Sequence, residues 1–327
     1  MKPSRIAEVM ATLIDTRWPI FIWGPPGVGK SSIVRDVALA KNLALLDVRA
    51  SLLDPTDLRG IPMIVDGRAV WCPPSFLPSD QGSSGILFFD ELNAAPPLVQ
   101  ASLYQLTLDR RVGEYVLPKG WNIVAAGNRS EDSSVIFRMP AALANRFVHL
   151  DFEVNFDDWR AWALSAGIHP LVTSFLAVRR ELLFDMGVPE RGFPTPRSWA
   201  IVSDALMAAG GFEGIRDVVL GIVGEGASIE FLAHCEAALS EAQIAVILDA
   251  PATADLPETL SARYALVSYI IAAGAKAKIL TSAGILLNRL PVEFAVLLAR
   301  DLLRLDPRFA LQPGYKSFVR AHKTAFS

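Results

Sequence analysis

Cysteine is scarce. Cys72 and Cys235 are the only two in 327 residues, and they share no spacing used by metal ligands or a disulfide framework. Two buried, reduced thiols are therefore expected. His234 beside Cys235 does not change this, because adjacent helical residues do not share a face and no second such pair exists. Long apolar runs are also missing. The most apolar late stretch, Tyr264 to Leu287, is interrupted by Lys276 and Lys278, whereas a membrane span needs about 20 mostly apolar residues. The opening Met1-Lys2-Pro3-Ser4-Arg5 leads into an amphipathic pattern with no signal-peptide core. Together these features predict a soluble, cytoplasmic chain with no membrane insertion. There is no basic excess either, since the formal net charge is −3. That counts against a dedicated nucleic-acid binder.

Apolar residues are abundant. They make up 52% of the chain against 20% charged residues, enough for packed cores. A chain of this length suggests two domains. Up to about residue 153, short apolar runs alternate with helical patterns. Pro19–Trp23, Ala44–Val48, Ile86–Phe89, Ile123–Ala126 and Phe147–Phe152 read as buried strands of a parallel sheet covered on both faces, a doubly wound α/β layer. Two hairpins decorate it. One spans Ile61 to Cys72 and turns at Asp66-Gly67; the other follows Arg110-Arg111 and turns near Gly113. From about 154 to 327 the pattern is helical, with Asp157–Ala166, Leu171–Phe184 and Arg197–Ala209 as its first helices and Gly187–Pro196 as a loop.

Between the first strand and the next helix lies Gly24-Pro25-Pro26-Gly27-Val28-Gly29-Lys30-Ser31, a full match to the phosphate-loop pattern. Glycines let backbone N–H groups curl around phosphate oxygens, and the helix N-terminus adds partial positive charge. Lys30 is expected to reach the β/γ-phosphates and the Ser31 hydroxyl to ligate Mg²⁺. Ser32 completes the expected nucleotide-binding set.

Such a loop binds without hydrolysing, so acids are sought next. Ile86-Leu87-Phe88-Phe89-Asp90-Glu91 carries two carboxylates to the C-terminal edge of the sheet, where the phosphate loop also lies. Asp90 is expected to hold Mg²⁺ or its water. Glu91, facing the other way, is expected to orient or deprotonate the attacking water. Asp57-Leu58-Arg59-Gly60 fits a GTPase switch pattern, but no buried strand precedes it and N-K-x-D is absent, so ATP is favoured over GTP. An amide at Asn128, after a further strand, could contact the γ-phosphate. Arg146 ends a short helix, and Arg197 opens one in the second half.

The ordered set resembles the AAA+ ATPases, and within them the MoxR-type group, over roughly residues 1 to 210. The carrying stretches are Gly24–Ser31, Phe89-Asp90-Glu91-Leu92-Asn93, Ala125-Ala126-Gly127-Asn128, Leu143-Ala144-Asn145-Arg146-Phe147 and Thr195-Pro196-Arg197-Ser198-Trp199. The Ile61–Cys72 hairpin resembles the family's helix-2 insert, and the later one its hairpin before sensor 1. The resemblance implies a P-loop AAA+ domain (1–153) followed by an all-α lid; with the helical pattern that continues beyond about residue 210, where the resemblance fades, the second half is expected to be a lid plus a helical C-terminal extension (154–327). The resemblance further implies that Asn128 is the sensor-1 residue, Arg146 an arginine finger reaching a neighbouring subunit, and Arg197 the sensor-2 arginine. It also implies a hexameric ring with Mg²⁺-dependent, ATP-driven remodelling of a client protein, often with a separate von Willebrand A partner. That partner's D-x-S-x-S site is not in this chain, since the stretch from Asp132 to Ile136 fails at its last position. An ATP-gated scaffold or loader and, less favoured by the charge, a nucleic-acid motor are the competing functions.

Overall fold

The computed structural model describes residues 1–16, 18–129, 131–132, 137–187, 192–274 and 276–322. Ser133 to Ile136 of the failed D-x-S-x-S stretch, and part of the Gly187–Pro196 loop, lie outside the described residues. The chain divides into two compact units, Met1–Asn155 and Phe156–Ser327.

The first unit runs α1 (Pro3–Leu13), β1 (Ile20–Trp23), α2 (Lys30–Ala40), β2 (Ala44–Arg49), α3 (Pro55–Arg59), β3 (Ile61–Val65) and β4 (Arg68–Cys72). It continues with β5 (Ser84–Asp90), α4 (Pro97–Asp109), β6 (Arg111–Val112), β7 (Tyr115–Val116), β8 (Gly120–Gly127), α5 (Ala141–Ala144) and β9 (Val148–Asp151). Five strands form one sheet in the order β2-β5-β8-β1-β9, and every pairing is parallel. All five C-terminal ends therefore lie on one edge, the edge where α/β sheets place their ligands. In this order β8 stands between β1, which feeds the phosphate loop, and β5, which carries the acids.

The three inner strands are buried along their apolar runs, with Ile20–Ile22, Ile86–Phe88 and Val124–Ala126 fully covered. Burial of all five strands does not hold. Only Val48 is buried in β2 and only Leu150 in β9. Both are outer strands with a single neighbour, and an apolar run by itself does not reveal position in the sheet. The thiols divide as well. Cys235 is buried, but Cys72 is exposed, because β3 and β4 form a hairpin whose every residue is exposed. Asp66 and Gly67 turn that hairpin with φ of 51° and 74°, the positive pair that a tight hairpin turn requires. At its base a Cβ on Gly60 would lie 1.7 Å from the Cys72 carbonyl oxygen, so only glycine lets the two strands meet there.

The second unit is helical, beginning with α6 (Phe156–Ser165), α7 (Pro170–Val178) and α8 (Pro196–Ala209) and ending with the helix Pro313–Ala321. A single helix over Leu171–Phe184 is not formed. The chain leaves helical geometry at Arg179 (φ −120°, ψ 66°), and a 3₁₀ turn follows over Arg180–Leu183. The apolar pattern continues across that break, so periodicity alone does not show it. The later helices close a second core around Leu266, Ile270, Leu286, Phe294 and Leu298. No single helix among the described residues is long and apolar enough to cross a membrane.

Candidate functional site

At the end of β1 the chain must turn sharply and leave its backbone exposed. Gly24 N–H still donates to the Gly127 carbonyl of β8 at 3.2 Å, and a Cβ at Gly24 would lie 2.9 Å from the Cβ of Phe152. Gly27 (φ 75°) and Gly29 (φ 102°) then adopt left-handed geometry, which costs a side-chain-bearing residue more. Gly29 is the N-cap of α2 and supplies no side-chain cap. The first N–H groups of the helix are thus left for an outside acceptor, the arrangement that binds phosphate.

Lys30 opens α2 and is 8% exposed. Its ammonium donates to Gly24 O at 2.7 Å, Pro25 O at 2.8 Å and Asn128 Oδ1 at 3.0 Å. Thus Lys30 ties the loop's own carbonyls to the strand between the loop and the acids. Next along the helix, Ser31 Oγ donates to Asp90 Oδ2 at 2.8 Å, and Asp90 Oδ1 accepts the Glu91 N–H at 3.0 Å. A hydroxyl and a carboxylate so placed are hard oxygen donors and fit Mg²⁺. Ser32 is half-buried one residue further on. On the neighbouring outer strand, partial burial and then the negative charge of Asp90 hold the Asp47 carboxyl above the usual carboxylate range.

Strand alternation alone would send Glu91 to the face opposite Asp90. However, β5 ends at Asp90, and Glu91 takes a left-handed conformation (φ 55°) leading into a 3₁₀ turn, Leu92–Ala94. Its direction is set by that turn and by Ser51, whose Oγ donates to Glu91 Oε2 at 2.7 Å. Asn93 is buried in the same turn. Its Nδ2 donates to Asn128 O at 2.6 Å, and its Oδ1 accepts the Asn128 N–H at 3.2 Å. Sequence reasoning assigned no role to Ser51 or Asn93. The available signal was their position, each a polar residue just past the C-terminal end of a strand in a parallel sheet.

Hydrogen bonds thus join Ser31, Asp90, Glu91 and Ser51 in one set and Lys30, Asn128 and Asn93 in another, and the backbone connects the two at Lys30-Ser31 and through the turn from Asp90 to Asn93. Arg146 is part of neither set. It lies just after α5, exposed, and its guanidinium makes no hydrogen bond or ion pair with the described residues. Arg197 belongs to the second unit. It is exposed in the first turn of α8, whose capping box is Thr195 and Ser198. A cation at a helix N-terminus opposes the macrodipole, so nothing in the helix itself favours Arg197 there.

A glycine loop closing on a buried lysine, at the C-terminal edge of a parallel sheet, defines a P-loop nucleotide-binding domain. Residues 19–147 match the family described as AAA domain, dynein-related subfamily. That segment, less than half of the chain, is similar to an AAA domain. No curated protein matches the chain. Among solved structures, NtrX from Brucella abortus in complex with ADP is 15% identical, covers 99% of this chain and 68% of its own, and has a TM-score of 0.42. The RuvB Holliday junction branch migration motor from Thermotoga maritima is 17% identical, with coverage of 82% and 80% and a TM-score of 0.37. Likenesses this distant carry no functional argument.

Proposed function

We propose that this chain is a Mg²⁺-dependent AAA+ ATPase of MoxR type that remodels a partner protein from within a hexameric ring. The observation that carries the reading is the Ser31–Asp90 hydrogen bond beside Lys30, which joins the phosphate loop to the acid-bearing strand end. Lys30 and the loop N–H groups would hold the ATP phosphates, and Ser31 with Asp90 would hold Mg²⁺. The metal supplies charge neutralisation at the phosphate oxygens. Glu91 takes a proton from the attacking water, and Asn128 orients that water and the terminal phosphate. Arg146, exposed and unpaired among the described residues, serves a neighbouring subunit's site, where an added arginine is worth about 10³–10⁵ in rate. Arg197 contacts nucleotide from the helical unit. A von Willebrand A domain protein is the proposed partner class.

One observation favours a second reading, an ATP-gated scaffold that works by its binding state. The carboxylate that would act as base is hydrogen-bonded to Ser51, which suits slow turnover. ATP turnover per subunit across a dilution series, for wild type and Arg146→Ala, separates the two. Specific activity that rises with concentration, and vanishes in the variant while ATP binding persists, supports the shared-site ATPase. Activity that is flat with dilution and unchanged in the variant overturns it.

A further inference from the structure

We propose that Asn93 is a positioning residue that couples the acid-bearing turn to the phosphate loop by fixing the Asn128 side chain against Lys30. This inference rests on the nucleotide-hydrolysis reading of the site. Its starting point is the backbone of Asn128. The last pair between β5 and β8 is Phe89 with Ala125, and the last between β1 and β8 is Trp23 with Gly127. At Asn128 the ladder has ended, and its N–H and C=O need new partners. A single buried side chain supplies both, with the Asn93 amide donating to the carbonyl at 2.6 Å and accepting from the N–H at 3.2 Å. A carboxamide carries a donor and an acceptor side by side on two atoms, which suits this pairing; a carboxylate lacks the donor, and a hydroxyl has both functions on one atom.

Gly127 is an independent sign that this place is built for the amide. Its φ is not in the left-handed region, so backbone conformation does not demand glycine. A Cβ there would lie 2.3 Å from Asn93 Oδ1 and 2.8 Å from Phe21 Cζ. The missing side chain is what lets the Asn93 amide reach the strand. Beyond it, Asn128 Oδ1 accepts from Lys30 Nζ at 3.0 Å. In the other direction, Asn93 sits three residues past Asp90, and its carbonyl accepts the Phe137 N–H at 2.8 Å. One short path thus runs from the carboxylate turn through Asn93 and Asn128 to the lysine of the phosphate loop. Without Asn93, Asn128 keeps its side chain but not its placement, and the site loses its means of telling a third phosphate from two.

The test measures ATP and ADP affinity, kcat and KM for wild type, Asn93→Ala and Gly127→Ala, with hydrogen exchange at the Asn128 amide without nucleotide. In wild type the Asn128 amide is expected to be protected, and both variants should lose that protection. Each variant should bind ADP within about threefold of wild type. Preference for ATP over ADP should fall about tenfold and kcat by ten- to a hundredfold at nearly constant KM, the scale of one or two lost hydrogen bonds. Asn93→Asp, which keeps the acceptor and loses the donor, should not restore the preference. The double variant should be less impaired than the two effects summed, because removing the amide vacates part of the space that a Cβ at residue 127 needs. Variants that discriminate and turn over ATP like a competent wild type would overturn the Asn93 proposal and leave the ATPase reading standing. A wild type that neither binds nor hydrolyses ATP would overturn both. If the substitutions prevent folding, rapid exchange of the Asn128 amide in wild type would by itself refute the coupling.

Discussion

Ser51 Oγ donates to Glu91 Oε2 at 2.7 Å and ties the end of β2 to the turn after β5. The two strands are neighbours, paired from Ala44–Gly85 to Arg49–Asp90. A short side chain just past one strand can therefore reach a residue just past the other. With Glu91 as the base, the bond holds its carboxylate toward the sheet's outer strand. Ser51→Ala is expected to free it and raise basal ATP turnover several-fold, and Glu91→Gln to abolish turnover in either background while nucleotide binding persists. Steady-state rates on the single and double variants check this. A Ser51→Ala rate at or below wild type would refute the tether, and residual turnover in Glu91→Gln would refute the base.

Lys30 carries the most concentrated set of contacts at the loop, to Gly24, Pro25 and Asn128. Lys30→Ala removes the loop's positive charge and these ties together. Nucleotide affinity is expected to fall by about a hundredfold or more, the size of losing charge-assisted hydrogen bonds to phosphate. Isothermal titration with ADP decides it, and an unchanged affinity would end the phosphate-loop assignment.

The helical unit should weaken in acid. Burial pushes the His234 imidazole down to about 4, and it is hydrogen-bonded to Ser174 Oγ at 2.8 Å. Burial also lowers His169, with Glu241 opposing. Because the native state resists a proton that the unfolded chain accepts, stability is full above about pH 6.5 and is lost as pH falls toward 4. For His234 this amounts to at most about 3 kcal/mol. Thermal melts from pH 7.5 to 4.5 should show that decline, and His234→Gln should flatten it. An equal slope in both proteins would exclude His234 as its source.

Arg160 and Asp301 form an ion pair with neither side chain exposed, Nε to Oδ2 at 2.8 Å, and Arg160 Nη1 donates to Thr173 O at 3.3 Å. Arg300 Nε reaches the other Asp301 oxygen at 3.2 Å. Removing one partner leaves a buried charge unmet, so Asp301→Ala is expected to cost about 3–5 kcal/mol. Urea denaturation of the intact chain measures it, and a loss under about 1 kcal/mol would mean that water reaches the guanidinium.

Much of the architecture is legible in the sequence alone. Continuous apolar runs at Ile86–Phe89 and Ile123–Ala126 announced a covered parallel sheet, and the Asp66-Gly67 pair announced its hairpin, because these signals are local. Strand order is not local. Nothing in Ala44–Val48 shows that it forms an outer strand while Ile123–Ala126 takes an inner place, and Cys72 gives no sign that its hairpin is exposed on all sides. The break at Arg179 is hidden for a similar reason, since an apolar stripe can continue through a kink.

The candidate site divides along the same line. The sequence by itself determined the glycines, lysine and serine of the phosphate loop and the paired acids after an apolar strand, since each is a contiguous pattern whose physics acts within a few residues. Tertiary structure alone decided that β8 lies between β1 and β5 and that Asn128 falls within reach of Lys30. It also decided that Ser51 and Asn93, 40 and 35 residues from their partners, bond to Glu91 and Asn128. Hydrogen bonds act over about 3 Å, and only the pairing of parallel strands brings such distant residues that close.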